Sequence, residues 1–235
     1  MIKLLQHALF PSRCCVCGRV LQPNAEICDY CTKFILRVPE SKFCTGCGRP
    51  MKDCLCVPEP FLTSTVAPFL YEGTVREQIQ KFKFNNLPHM ADTYAKIAAK
   101  YADDCGVTQG ADLITFIPMT AKAVKIRTYN QAQEFAIALG NILQLPCEET
   151  LIKQHETPRQ HTLSAVLRHG NLTGVYDLPA DKEALIKNKV ILLADDITTT
   201  GSTLHEAAKT LLIFGAKEVR GICIARSPAE KQRIL

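Results

Sequence analysis

Apolar positions along the chain alternate between two periods. Val75, Ile79 and Phe82 recur at helical spacing, which predicts a helix ahead of a loop at Asn85–Pro88. Residues 91–101 (ADTYAKIAAKY) read as a second helix. Leu113–Ile117 (LITFI) is a short apolar run closed by Pro118 and suits a buried strand. Glu134–Leu143 returns to helical spacing, with Phe135, Leu139 and Ile142 on one face. Val190–Ala194 (VILLA) predicts a second buried strand. Leu204, Ala207, Ala208, Leu211 and Leu212 then mark an amphipathic helix stopped by Gly215, and Arg220–Ala225 reads as a third strand. Fully apolar strands alternating with helices predict an α/β fold, a doubly wound parallel sheet covered on both faces.

The first 60 residues follow a different rule. Nine of the twelve cysteines lie there, and the remaining three (Cys105, Cys147, Cys223) are scattered singly. A boundary is expected near Val57–Phe61, where VPEPF supplies two prolines as a stiff connector. Cys14-x2-Cys17 and Cys28-x2-Cys31 make one quartet, and Cys44-x2-Cys47 with Cys54-x-Cys56 a second. Two closely spaced pairs reach around one tetrahedral zinc ion with little strain, so two structural zinc ions are expected. Sequential pairing is preferred to an interleaved one, and Cys15 reads as a spare thiol. So few large apolar side chains form no core alone, which makes zinc the folding energy of this segment.

A disulfide framework is the rival reading, but MIKLLQHALF is short and broken by Lys3, Gln6 and His7, and no cleavable signal is expected. No apolar stretch reaches the ~20 residues of a membrane helix. The chain therefore reads as a cytoplasmic protein of 235 residues, enough for a main domain and a small one. Its formal charge of +5 falls to about +1 once eight thiolates and two zinc ions are counted, so net charge alone argues for no partner.

The chemistry concentrates in Val190–Ala207, VILLADDITTTGSTLHEA. An apolar strand ends in two acids, Asp195 and Asp196. The loop Thr198-Thr199-Thr200-Gly201-Ser202-Thr203 follows and opens into a helix, with Thr203 and Glu206 at capping-box spacing. Exposed amides and the positive end of a helix dipole gather a phosphate, hydroxyls add donors, and Gly201 admits a close approach. The acids are placed to accept from sugar hydroxyls or to hold magnesium through water. Neither a Walker loop nor a G-x-G-x-x-G fingerprint is present, which argues against ATP hydrolysis and NAD chemistry.

These residues resemble the phosphoribosyl-pyrophosphate (PRPP) motif of type I phosphoribosyltransferases. Ile117-Pro118, Lys122, Arg127 and Tyr129-Asn130-Gln131-Ala132, with Thr157–Leu172 (TPRQHTLSAVLRHGNL), Lys83 and the cysteine-rich start, are similar to the ComF family over nearly the whole chain. The resemblance implies a double zinc-ribbon domain over residues 1–60 and a phosphoribosyltransferase-like domain over 61–235. It implies that Thr199 through Thr203 hold the 5′-phosphate of magnesium-PRPP, that Asp195 and Asp196 bind the ribose hydroxyls, and that Lys122 and Arg127 meet the pyrophosphate. Thr128 departs from the pattern, since a glycine usually precedes the aromatic residue there.

Asn130 and Gln131 either serve that pyrophosphate loop or cap the next helix. Arg168 and Asn171 lie in the family's second polar stretch. Lys81-Phe82-Lys83-Phe84 interleaves bases and aromatics, as single-strand binders do, so Lys81 and Lys83 are candidate nucleic-acid contacts, although a helix with Phe82 in the core and the lysines solvated is the preferred reading of the same residues. The histidines, including His161, His169 and His205, read as surface or capping residues. The family is tied in part to DNA uptake in natural transformation. Two functions follow: a PRPP-binding module that handles single-stranded DNA with uptake proteins, or a transferase of ribose 5-phosphate to an acceptor.

Overall fold

In the computed structural model, which describes residues 13–22, 25, 27–35, 61–153 and 174–228, the apolar run at Val190 becomes the middle of a parallel sheet. The elements in chain order are β1 (Ser64–Val66), β2 (Phe69–Leu70), α1 (Gly73–Phe84), α2 (Met90–Asp104), β3 (Leu113–Phe116), α3 (Ala121–Arg127) and α4 (Gln131–Leu143). There follow β4 (Ile152–Lys153), β5 (Tyr176–Asp177), the single turn α5 (Glu183–Ile186), β6 (Val190–Thr198), α6 (Ser202–Ile213) and β7 (Glu218–Arg226). The sheet runs β1–β7–β6–β3 with every pairing parallel, and β2 continues the β1 edge along β7. A separate antiparallel pair, β4–β5, stands apart from it.

Both faces are covered, as the apolar strands require. Leu192 and Ala194 of β6 join one core with Phe82 of α1, Tyr94 of α2 and Phe135 of α4. Their neighbours Ile191 and Leu193 join the other, with Leu204, Ala208 and Leu211 of α6. Successive strand residues point to opposite faces, so one apolar run feeds two cores. At Gly221 the backbone of β7 leaves no room for a side chain, since a Cβ would lie 2.9 Å from the Thr65 hydroxyl and 3.3 Å from Leu204. Beyond β3 the edge is taken up by Pro146–Glu148, through Ile114 N–H to Pro146 O (2.9 Å) and Glu148 N–H to Ile114 O (3.0 Å).

The described part of the cysteine-rich segment packs on this body. Val16, Leu21 and Cys31 are buried in the same core as Tyr94 and Ile79, and the Tyr94 hydroxyl donates to the Cys15 carbonyl at 3.0 Å. Ile35 bridges antiparallel to Phe69. The segment's folding therefore draws on burial against α1 and α2 as well as on any metal it holds.

Candidate functional site

β6 is longer than the apolar run alone predicts, and this reorders the acid pair. Its pairing with β7 continues to Thr198 opposite Arg226, whereas its pairing with β3 ends at Ala194. Asp195 and Asp196 thus stand inside a strand instead of beyond its tip, at the level where the β3 side of the sheet has ended. Strand geometry then sends the two side chains to opposite faces.

Asp196 faces the end of α1. The Lys83 ammonium lies 2.9 Å from Asp196 Oδ1 and 2.9 Å from Oδ2, with the two side chains only 14% and 13% exposed. Asp195 faces the other way, and its neighbours include Lys153 of β4 and Tyr176 of β5. Burial, and then the charge of Asp196, push the Asp195 carboxyl up to about 8, although its Oδ1 accepts the Asp196 amide at 2.8 Å. Burial beside Asp195 and Glu206 likewise raises the Tyr176 phenol to about 12. Lys153 lies over the Tyr176 ring at 5.8 Å.

The hydroxyl loop opens α6 with a correction to the expected capping box. Gly201 takes the cap position in the left-handed region (φ +86°), and the helix begins at Ser202, so Thr203 and Glu206 both lie inside it. Gly201 offers no side-chain cap and the first turn carries no acid, while the Ser202 amide donates to Thr200 Oγ1 at 3.4 Å. Thr200 Oγ1 lies 2.7 Å from Ser202 Oγ, and Thr199, Thr200, Ser202 and Thr203 are exposed around the buried Gly201. The buried Thr198 hydroxyl finds no hydrogen-bond partner among the described residues. Exposed hydroxyls, the first-turn amides of α6 and Gly201 stand together at the carboxyl end of a parallel strand, a geometry that can receive an anion.

On the β3 side, Lys122 and Arg127 fall in α3, whose start is capped by Thr120 accepting from Ala123 N–H at 3.2 Å. The Arg127 guanidinium stands 5.3 Å from the Phe84 ring and donates to Gln131 Oε1 at 3.3 Å. Asn130 caps α4, accepting from Ala132 N–H at 3.0 Å while its amide donates to Ile117 O at 3.0 Å. Gln131 Nε2 donates to Lys83 O at 3.3 Å, and the Tyr129 hydroxyl donates to Phe82 O. The Tyr129-Asn130-Gln131 stretch thus ties the ends of β3 and α1 together. Thr128 takes the left-handed region (φ +69°), which is the physical reason a glycine suits this position.

The two candidate nucleic-acid contacts, Lys81 and Lys83, are placed differently. Residues two apart on a helix point to different sides, so Lys81 is exposed while Lys83 turns in to Asp196 and Phe82 is fully buried. His205 is buried in α6 and is not a surface residue. Lys153 and Tyr176 carry no local signal for membership of this site, and neither does the pairing of Lys83 with Asp196; these come from tertiary contact.

The first cysteine quartet is assembled. The Sγ atoms of Cys14, Cys17, Cys28 and Cys31 all lie within 4.8 Å of one another, with Cys17 and Cys28 at 3.7 Å. Tetrahedral zinc with Zn–S bonds of about 2.3 Å requires ligand separations of about 3.8 Å, so the four thiols fit that ion. Cys15 stands outside the cluster, buried, and burial pushes its thiol well up. The second quartet, Cys44, Cys47, Cys54 and Cys56, lies outside the described residues, as do Arg168, Asn171, His161 and His169. Among the described residues, no helix is long and apolar enough to cross a membrane.

A family profile for a phosphoribosyl transferase domain matches residues 131–235. Competence protein F of Haemophilus influenzae (strain ATCC 51907 / DSM 11121 / KW20 / Rd) is 30% identical over 230 residues, covering 93% of this chain and 98% of that protein. DNA utilization protein YhgH of Escherichia coli (strain K12) is 28% identical over 219 residues, covering 91% and 90%. Among solved structures, the allosteric regulatory enzyme of purine biosynthesis is 18% identical with a TM-score of 0.42, covering 62% of this chain and 30% of that one.

Proposed function

The chain belongs to the ComF family, and from that premise we propose that it binds magnesium-PRPP at the carboxyl ends of β3 and β6 and serves DNA uptake in the cytoplasm. One observation carries the reading: an acid pair in β6, a hydroxyl-rich loop and the start of α6 follow each other at the end of a parallel strand. Thr199, Thr200, Gly201, Ser202 and Thr203 hold the 5′-phosphate with first-turn amides and hydroxyls. Asp195 and Asp196 take the ribose hydroxyls, with magnesium held through water beside them. Lys122 and Arg127 stand on the β3 side, where the pyrophosphate needs compensating cations. Zinc is structural, held by Cys14, Cys17, Cys28 and Cys31, with Cys44, Cys47, Cys54 and Cys56 as a second set.

The names of its relatives, competence and DNA utilization proteins, support a role with single-stranded DNA and uptake partners. Lys81, exposed on α1, is a contact for that strand.

Calorimetric titration of the zinc-loaded protein with magnesium-PRPP tests the site. Micromolar binding that disappears in Asp195→Ala/Asp196→Ala is expected; no binding by the folded wild type refutes it. Transfer of ribose 5-phosphate to an acceptor is the second reading, since this arrangement of anion cradle and cations also favours departure of pyrophosphate. Pyrophosphate release on screening nucleobases would establish it.

A further inference from the structure

We propose that Lys83 is the cation by which this site selects a pyrophosphorylated sugar, held on Asp196 until a ligand's hydroxyls take that carboxylate. The proposal rests on the PRPP reading above and extends it to the residue that pairs with Asp196. Its geometry is that of a stored charge. The Lys83 ammonium occupies both oxygens of Asp196 at 2.9 Å, and both side chains are largely withdrawn from solvent. A ribose whose hydroxyls bind Asp196 competes for those same oxygens, so ligand entry and release of Lys83 are one event.

The backbone that carries Lys83 stays put during that exchange. Tyr129 Oη holds the Phe82 carbonyl and Gln131 Nε2 the Lys83 carbonyl, which leaves only the four-carbon side chain to swing. The same Gln131 accepts from Arg127 through Oε1, so a second cation is anchored on this side of the sheet. A displaced ammonium without an anion would lose charge pairing in a poorly solvated place. PRPP supplies that anion in its pyrophosphate. Ribose 5-phosphate displaces Lys83 and offers nothing in return. Lys83 therefore favours the first ligand and penalises the second.

The test compares magnesium-PRPP with ribose 5-phosphate by calorimetry on wild type, Lys83→Met and Lys83→Arg, each first shown to be folded by its thermal melt. Lys83→Met is expected to weaken PRPP by about tenfold or more, as loss of a charged hydrogen bond does, while ribose 5-phosphate binds as in wild type or tighter. Lys83→Arg is expected to restore most of the PRPP affinity. Parallel weakening of both ligands, or no change in either, overturns the proposal. Should Lys83→Met melt too early to titrate, Lys83→Gln, which removes the charge and keeps a hydrogen bond to Asp196, carries the same comparison. A wild type that binds neither ligand refutes the PRPP reading itself, and the role of Lys83 falls with it.

Discussion

Lys83 and Asp196, 113 positions apart in the chain, meet at 2.9 Å where α1 ends against β6. Because both side chains are largely out of water, removing one partner leaves the other poorly solvated. Asp196→Asn is expected to lower stability by about 1–2 kcal/mol, and Lys83→Met/Asp196→Asn to recover much of that loss. Urea unfolding of the two single variants and the double variant checks it; strictly additive losses would show the pair to be uncoupled.

Asp195 makes stability depend on pH in a stated direction. Its carboxyl is raised from 3.8 to about 8 in the fold, by burial first and the Asp196 charge second. The folded protein therefore keeps a proton that the unfolded chain releases near pH 4. The resulting stabilisation is fully present below about pH 4 and is lost as pH rises to about 8. Asp195→Asn lacks that loss, so its melting temperature should gain on the wild type between pH 5 and pH 9. An unchanged difference across that range would contradict the assignment.

Zinc content is expected to be two ions per chain by elemental analysis, falling to one in Cys28→Ser. That variant should also melt earlier, since the knuckle carries Val16 and Leu21, which are buried in the same core as Tyr94. Two ions retained in Cys28→Ser would show that Cys14, Cys17, Cys28 and Cys31 are not a ligand set.

Thr128 is a β-branched residue held at φ +69° between α3 and α4. Relief of that conformation outweighs the added freedom of the unfolded chain, so Thr128→Gly is expected to stabilise the protein by about 1 kcal/mol. Its effect on PRPP affinity should be small, because the backbone already has the conformation glycine would adopt. Chemical denaturation alongside ligand titration separates the two effects.

Much of this protein is legible in its amino-acid order, for a physical reason. Runs such as Val190–Ala194 and Leu113–Ile117 are apolar on both sides, which only a strand covered on two faces can satisfy, and the helical spacing of Val75, Ile79 and Phe82 names the face that packs. Cysteine pairs with two residues between them declare a metal knuckle because the ligands are local. The Thr199–Ser202 loop declares an anion cradle because backbone and side chains of adjacent residues build it.

Tertiary structure decided what depends on distant contacts. Pairing with β7 carried β6 through the acids and so turned Asp195 and Asp196 to opposite faces. Gly201 took the cap position and moved the start of α6 to Ser202. Lys83 took its place on Asp196 because Tyr129 and Gln131 hold the end of α1, and no spacing along the chain encodes a contact across 113 positions. Local chemistry is written in neighbouring residues, whereas the partners of a buried charge are chosen by which elements the core brings together.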